Sequence, residues 1–373
     1  MTPRSPAPER AFSVRTPSQA TSVVVGAGTL GRLEALLAEV APRATRTLFV
    51  VDAGVALPGV HQRWAGEWRL EPERTIVVAA GEAAKTREVH AAVEDAILAH
   101  GLFRDDVVVA VGGGAVLDVA GYAAATVRRG VAWVAVPTSV VGQVDACVGG
   151  KTAVNHARGK NLLGAFHPPA LALVDVTTLR TLPSRDRVAG VAEIYKTGRV
   201  GDPELLGRLA NRAATDDDPW WVEVVAAALK VKARLVERDE HDVGERRLLN
   251  YGHTLGHALE TALGPQAVRH GEGVAIGMGV AAEVARGRGW VDREFVETQD
   301  ADLVRLGLPT RVPLEPPAPR LLAIVQEDKK RRAGGLLTLV LPRDRATLAV
   351  LEDVTPSELE AAIAVRRERR VHR

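Results

Sequence analysis

The sequence predicts an α/β N-terminal domain with a parallel, doubly wound, Rossmann-like sheet, followed by a mainly α-helical C-terminal domain. Three observations carry this. Short β-branched runs alternate with amphipathic segments through the first half, the pattern of successive βαβ units. One Val-rich run enters Gly112-Gly113-Gly114 directly. From Ser184 onward helical periodicity dominates, and three histidines gather between Leu248 and Met278.

Taken in order, residues 1–20 are rich in Pro and Ser and lack an apolar core; they predict a disordered lead-in rather than a signal peptide. Residues 21–185 form the predicted α/β domain. Its strands are Ser22–Val25, Thr47–Val51, Thr75–Val78, Asp106–Val111, Val131–Val136 and Leu171–Asp175. Helices are expected at Leu30–Val40, Arg87–His100 and Val116–Val127. Ligands of such sheets bind at the carboxyl ends of the strands. Asp52, the glycine triplet and Thr138-Ser139 all fall there. A terminal acid suits a ribose hydroxyl, and glycines before a helix suit a phosphate. A bare glycine triplet is a weak signal, because it lacks the dinucleotide spacing.

Between Asp145 and Asn161 the chain is polar and punctuated by glycine, and reads as a long loop of the kind that usually carries function. Residues 186–373 form the predicted helical domain, with helices at Arg185–Arg199, Pro203–Ala213, Trp220–Asp239 and Gly273–Arg286 and a late strand at Leu336–Leu341. His253 and His257 stand four residues apart, on one face of a helix. With His270 they fit a divalent cation, and they equally fit ordinary helix histidines. Glu193 lies in an apolar helical stretch and offers a carboxylate ligand for a His–His–Glu set. Lys232, Arg246 and Asn250 approach the histidines and suit an anionic substrate.

Composition narrows the class. The 373 residues are 46% hydrophobic and 25% charged, with a net charge of +2, so no global field draws the chain to nucleic acid or membrane. No run of about 20 apolar residues occurs. The single cysteine, Cys147, excludes an intrachain disulfide and fits a cytoplasmic setting. The basic run from Arg366 to Arg370 reads as a solvated helix end or tail.

Long motifs then occur in order: AGEAAK at 80–85, VGGGAVLDVAGYAAATVRRG at 111–130, VPTS at 136–139, QVDACVGGKTAVNHARGKNLLGAFHPP at 143–169, TLRTLP at 178–183, AEIYK at 192–196, LLNYGHTLGHALE at 248–260, RHGEGVAIGM at 269–278 and DKK at 328–330. In these the chain resembles the sugar phosphate cyclases, and among them the 3-dehydroquinate synthase family most. The resemblance implies NAD on Asp52, Glu82, Lys85, Gly114, Ala115, Val116, Leu117, Asp118, Thr138, Ser139, Lys151, Lys160, Thr178, Leu179 and Thr181. It implies Zn²⁺ or Co²⁺ on Glu193, His253 and His270, with His257 turned to the substrate instead. The implied substrate contacts are Arg129, Asp145, Lys151, Asn161, Lys196, Lys232, Arg246, Asn250, His257 and Lys330.

Arg129 is expected to reach a neighbouring subunit of a homodimer. The implied reaction converts 3-deoxy-D-arabino-heptulosonate 7-phosphate to 3-dehydroquinate and phosphate, a carbon–oxygen lyase reaction of the shikimate pathway. Lys232 and Arg246 are expected on the substrate carboxylate, which members acting on sedoheptulose 7-phosphate lack. Ser139, Leu117 and Ile194-Tyr195 depart from the family's usual residues. They keep in view an amino-dehydroquinate synthase or a 2-epi-5-epi-valiolone synthase type of enzyme. A metal-dependent polyol dehydrogenase is the third reading.

Overall fold

Strands buried on both faces read as unbroken apolar runs rather than as alternation. VVVAVG and LALVD are such runs, and both are buried along their whole length. The computed structural model describes residues 9–57, 60, 71–210, 217–328 and 335–367, and Lys330 lies outside them. The chain packs as two units, Met1–Pro183 with Thr215–His241, and Ser184–Ala214 with Asp242–Arg373.

The first unit runs through β1 (Arg10–Arg15), β2 (Ala20–Gly26), α1 (Leu33–Val40), β3 (Thr47–Asp52), α2 (Ala53–Ala56), β4 (Thr75–Val78), α3 (Arg87–Ala99), β5 (Val107–Gly112), α4 (Gly114–Thr126), β6 (Ala132–Pro137), β7 (Lys151–His156), β8 (Gly159–Phe166) and β9 (Leu171–Asp175). The second unit opens with α5 (Ser184–Gly201) and α6 (Pro203–Ala210). After α7 (Asp218–Arg238), which belongs to the first unit, it continues through α8 (His253–Leu263), α9 (His270–Gly287), α10 (Arg293–Arg305), α11 (Ala318–Asp328), the antiparallel pair β10 (Leu337–Pro342) and β11 (Leu348–Val354), and α12 (Pro356–Arg366).

Seven strands form one sheet in the order β1-β2-β9-β6-β5-β3-β4, parallel except for β1. β4 steps outward from β3, whereas β5 returns to β3's other side and β6 and β9 continue away. Connections therefore diverge between β3 and β5, which opens a crevice at their carboxyl ends. The core on one side joins Val109, Val111, Val134, Val136 and Leu173 to Leu33 and Leu36 of α1.

Four expectations change. Residues 10–15, expected in a disordered lead-in, form β1, paired from Arg10↔Val25 to Arg15↔Ala20. Strand β1 also meets α7, with Arg10 on Glu223 and the Arg15 amide donating to Glu237 at 2.9 Å. A single boundary near residue 185 misplaces α7, whose buried face packs on β1 and β2; amphipathicity marks a buried face but not which core it covers. The polar stretch read as a loop is one helical turn, Gly142–Ala146, and the β7–β8 hairpin. Arg366 is not solvated: it is buried, and its guanidinium is held by Asp300 and the Thr310 carbonyl.

Gly112 ends β5 where the crevice opens. A Cβ there would stand 2.8 Å from Val116 Cβ and 3.0 Å from Asp52 Cβ, closer than carbon atoms pack. Gly112→Ala is expected to cost about 1–3 kcal/mol by overpacking, seen as a lower denaturation midpoint; an unchanged midpoint would contradict this packing.

Candidate metal centre and nucleotide cleft

Glu193 sits in the middle of α5, inside a run from Ala189 to Gly198 that is wholly buried. A carboxylate there must find charged partners. Lys196, one turn on and equally buried, is ion-paired with Glu193 Oε2. Oε1 has no hydrogen-bond partner and faces two imidazoles. His253 Nε2 lies 3.6 Å from it and His270 Nε2 3.4 Å, and the three ligand atoms all fall within 4.8 Å of one another. Ligands about 2.1 Å from a tetrahedral Zn²⁺ stand roughly 3.4 Å apart, so the spacing fits a cation between them.

Local structure delivers each group. His253 begins α8 and His270 begins α9. A Cβ at Gly271 would stand 1.8 Å from the Ala189 carbonyl oxygen, so only glycine lets the start of α9 press onto α5 beside Glu193. Each ring is also held from behind: His253 Nδ1 is 3.2 Å from the Tyr251 carbonyl and His270 Nδ1 2.8 Å from Glu260 Oε1.

Burial opposes the charge on Glu193, yet Lys196, His253 and His270 hold its carboxyl well below the usual range. Burial pushes His253 down to about 3, against the pull of Glu193. Burial also opposes charge on His270, but the Glu193 and Glu260 carboxylates on its two sides raise it to about 10. Without a cation these directions favour an ionised Glu193, a neutral His253 and a protonated His270.

The His257 ring lies 5.3 Å from that of His253 and 5.9 Å from that of His270, nearly as close as those two are to each other at 5.3 Å, yet its nitrogens fall outside the group formed with Glu193. The spacing of four therefore does not pair His253 with His257 around Glu193. A second grouping of candidate ligands, His257, Glu260 and His270, shares His270 with the first. Arg246 is buried on the turn Glu245–Asn250, and Asn250 is exposed at its end. Tyr195, one of the departures from the family's usual residues, is buried, and its hydroxyl donates to Asp302 of α10 at 3.4 Å.

In the first unit the crevice gathers most of the expected cofactor residues. Asp52 Oδ1 accepts from the Gly54 amide at 2.8 Å and Oδ2 from Gly81 at 3.4 Å. Helix α4 starts at Gly114, and no side chain caps its amides, so Gly114 and Ala115 present backbone N–H groups and a positive helix end. Val116 and Leu117 are fully buried and can offer only backbone. Ser139 Oγ accepts from Gly142 at 3.2 Å and lies 3.4 Å from where a Gly113 Cβ would stand. The Thr138 amide donates to Gly112 at 2.9 Å.

Lys85 is buried against Asp118 and Asn161. Burial raises Asp118 to about 6 despite Lys85. Glu82 accepts from Asn155 at 2.6 Å, a partner not expected from the sequence. Thr178 and Leu179 are buried, and the Thr178 hydroxyl accepts from Gln143 and donates to the Asp175 carbonyl; Thr181 caps the same turn by donating to Thr178 at 3.0 Å. Lys151, Lys160 and Asn161 are exposed on the hairpin. Lys232, on α7, is bound to both the carbonyl and the carboxylate of Asp145. Arg129 is exposed, with left-handed backbone at φ 62° following Arg128 at 55°. Cys147 is buried, which raises its thiol to about 12 and leaves it unreactive.

Comparison with known proteins decides the family. Residues 75–189 match the model of the 3-dehydroquinate synthase N-terminal domain, and residues 190–331 that of the 3-dehydroquinate synthase C-terminal domain. The chain belongs to the 3-dehydroquinate synthase family.

A 3-dehydroquinate synthase of Streptomyces avermitilis is 42% identical over 343 residues, 91% of this chain and 93% of the relative. One of Xanthomonas campestris pv. campestris is 45% identical over 287 residues, 75% of this chain and 77% of the relative. Among solved structures, ValA, the 2-epi-5-epi-valiolone synthase of Streptomyces hygroscopicus subsp. jinggangensis with NAD⁺ and Zn²⁺ bound, superposes with a TM-score of 0.79 at 29% identity, covering 95% of this chain and 98% of that one. A probable glycerol dehydrogenase of Sinorhizobium meliloti shares the fold, with a TM-score of 0.58 at 18% identity over 91% of this chain and 94% of that one. Family membership makes the chain an enzyme of the cyclase kind rather than a polyol dehydrogenase. Among the described residues no helix is long and apolar enough to cross a membrane.

The charge state of the centre sets a proton balance. A cation needs neutral imidazoles, and His270, raised to about 10, holds a proton that the cation must displace. Binding of Co²⁺ at pH 7.5–8.5 is expected to release about one proton, and affinity to rise with pH towards His270's value. Calorimetry in buffers of different ionisation enthalpy reads this; zero release would contradict the assignment.

Proposed function

We propose that the chain is a 3-dehydroquinate synthase, acting on 3-deoxy-D-arabino-heptulosonate 7-phosphate to give 3-dehydroquinate and phosphate. The observation that carries this is the 42% identity to a 3-dehydroquinate synthase across nine-tenths of both chains. NAD⁺ would lie at the β3/β5 crevice, where Gly112 leaves no room for a side chain and the α4 amides lack a side-chain cap. A divalent cation would lie on Glu193 Oε1 and the Nε2 atoms of His253 and His270, which suits the unpartnered buried oxygen. When bound, the nicotinamide supplies a reversible hydride acceptor and the cation a Lewis acid that lowers the pKa of a substrate hydroxyl.

The remaining work falls to this chain's own side chains. Lys196 ties down Glu193 Oε2 and so aims Oε1. Lys151, Asn161, Asn250, His257 and Lys330 would hold the phosphate, which itself takes the C–H proton as it leaves. Lys232 and Arg246 would hold the substrate carboxylate. Since Lys232 is bound to Asp145 in this structure, a substrate carboxylate would compete with that pair. Arg129 would serve a neighbouring subunit of a homodimer, and the exposed arginine at a left-handed position is consistent with that use. The setting is cytoplasmic, and with the hydride returned each cycle the net reaction is that of a carbon–oxygen lyase. The presence of Lys232, Arg246 and Asn250 favours a carboxylate substrate over sedoheptulose 7-phosphate, the substrate of the valiolone synthase reading.

The test is incubation with the heptulosonate phosphate, NAD⁺ and Co²⁺ or Zn²⁺. Phosphate and dehydroquinate should appear together without accumulation of NADH, and Arg246→Ala should raise KM about tenfold or more. Turnover of sedoheptulose 7-phosphate alone would contradict the proposal.

A further inference from the structure

We propose that Glu260 is a positioning residue of the metal centre, fixing which nitrogen of His270 serves as ligand. The inference rests on the reading above that Glu193, His253 and His270 hold a divalent cation. An imidazole has one N–H and one lone pair when neutral, and which nitrogen carries the proton is set by the partner of the other. His270 Nδ1 lies 2.8 Å from Glu260 Oε1, and its Nε2 lies on the opposite edge, 3.4 Å from Glu193 Oε1. An acceptor at Nδ1 commits the proton there and leaves the Nε2 lone pair for the cation.

Glu260 is well placed to hold that geometry. Its side chain is 9% exposed, so the hydrogen bond is little weakened by water. It stands on α8 while His270 opens α9, so the bond also ties together the two helices that deliver the histidine ligands. His253 is oriented by a backbone carbonyl at 3.2 Å; Glu260 supplies the charged counterpart, and a carboxylate behind an imidazole makes it a stronger ligand. The competing role, Glu260 as a direct ligand with His257 and His270, would require the carboxylate to give up this bond.

The experiment is cobalt titration of the metal-free protein, with chelator competition, reading Kd, stoichiometry and the d–d spectrum, alongside the melting temperature of each metal-free variant. Glu260→Ala is expected to weaken Co²⁺ about 10- to 100-fold and to alter the d–d bands, without a matching loss of metal-free stability. Glu260→Gln keeps an acceptor without its charge and is expected to lose about threefold or more. A Kd within twofold of wild type in both variants overturns the proposal, and Glu260→Gln decides alone if Glu260→Ala does not fold. Two cobalt ions per chain, falling to one in Glu260→Ala, also overturns it, because Glu260 would then be a ligand. Cobalt binding abolished in His253→Ala but untouched in both Glu260 variants overturns only this inference. Failure of the wild type to bind cobalt overturns the metal centre with it.

Discussion

Removing a carboxylate from water costs several kcal/mol unless charged partners replace the solvent, and Glu193 is buried completely. Its two oxygens meet that cost differently. Oε2 is taken by Lys196, while Oε1 has no hydrogen-bond partner and looks at two imidazole edges. A cation between them would satisfy Oε1 and the two lone pairs at once. Much of the second unit serves this one atom. Helix α5 carries the carboxylate, the first residues of α8 and α9 carry the imidazoles, and Gly271 removes the side chain that would keep α9 off α5.

In the first unit the constraint is topological. Connections diverge on either side of β3, so the crevice lies between β3 and β5 whatever residues line it. The residues then follow: a carboxylate at the end of β3, no side chain at Gly112, and uncapped amides at the start of α4. Most of this cleft is made of backbone and short side chains. Such a site is defined by what can approach it closely, and beside it Val116, buried at the start of α4, faces Gly112 and the end of β3.

The sequence told more about the elements than about their partners. Strands β3 and β9 appear as read, because parallel strands inside the sheet leave runs of Val and Leu with sharp polar ends, and the edge strand β4 appears as read although only Val78 of it is buried. Glu193 was legible from its apolar flanks, since a charge amid Val191, Ala192 and Ile194 demands a reason. The pairing of histidines was not. Spacing puts His253 and His257 on one helical face, but ligation depends on where α9 brings His270, and that is set by packing on α5. Glu260 lies seven residues from His253 on the same face, two turns along; the spacing could have flagged it, but its partner His270 is on another helix.

Strand β1 and helix α7 were misread for a shared reason. The polar Arg10–Arg15 makes a poor strand by itself and is held by pairing with β2 and by contacts with α7. Helix α7 declares a buried face but not an address. The charged end of α12 misled similarly, because the partner that makes burial of Arg366 tolerable, Asp300, is distant in sequence.

The most direct test of the central claim is a crystal structure of the protein loaded with Zn²⁺, with anomalous scattering measured at the zinc edge. The account predicts one strong peak per chain, about 2.0–2.2 Å from Glu193 Oε1 and from Nε2 of both His253 and His270, with Glu260 still bonded to His270 Nδ1. A peak held by His257 and Glu260, with Glu193 Oε1 left unligated, would contradict it.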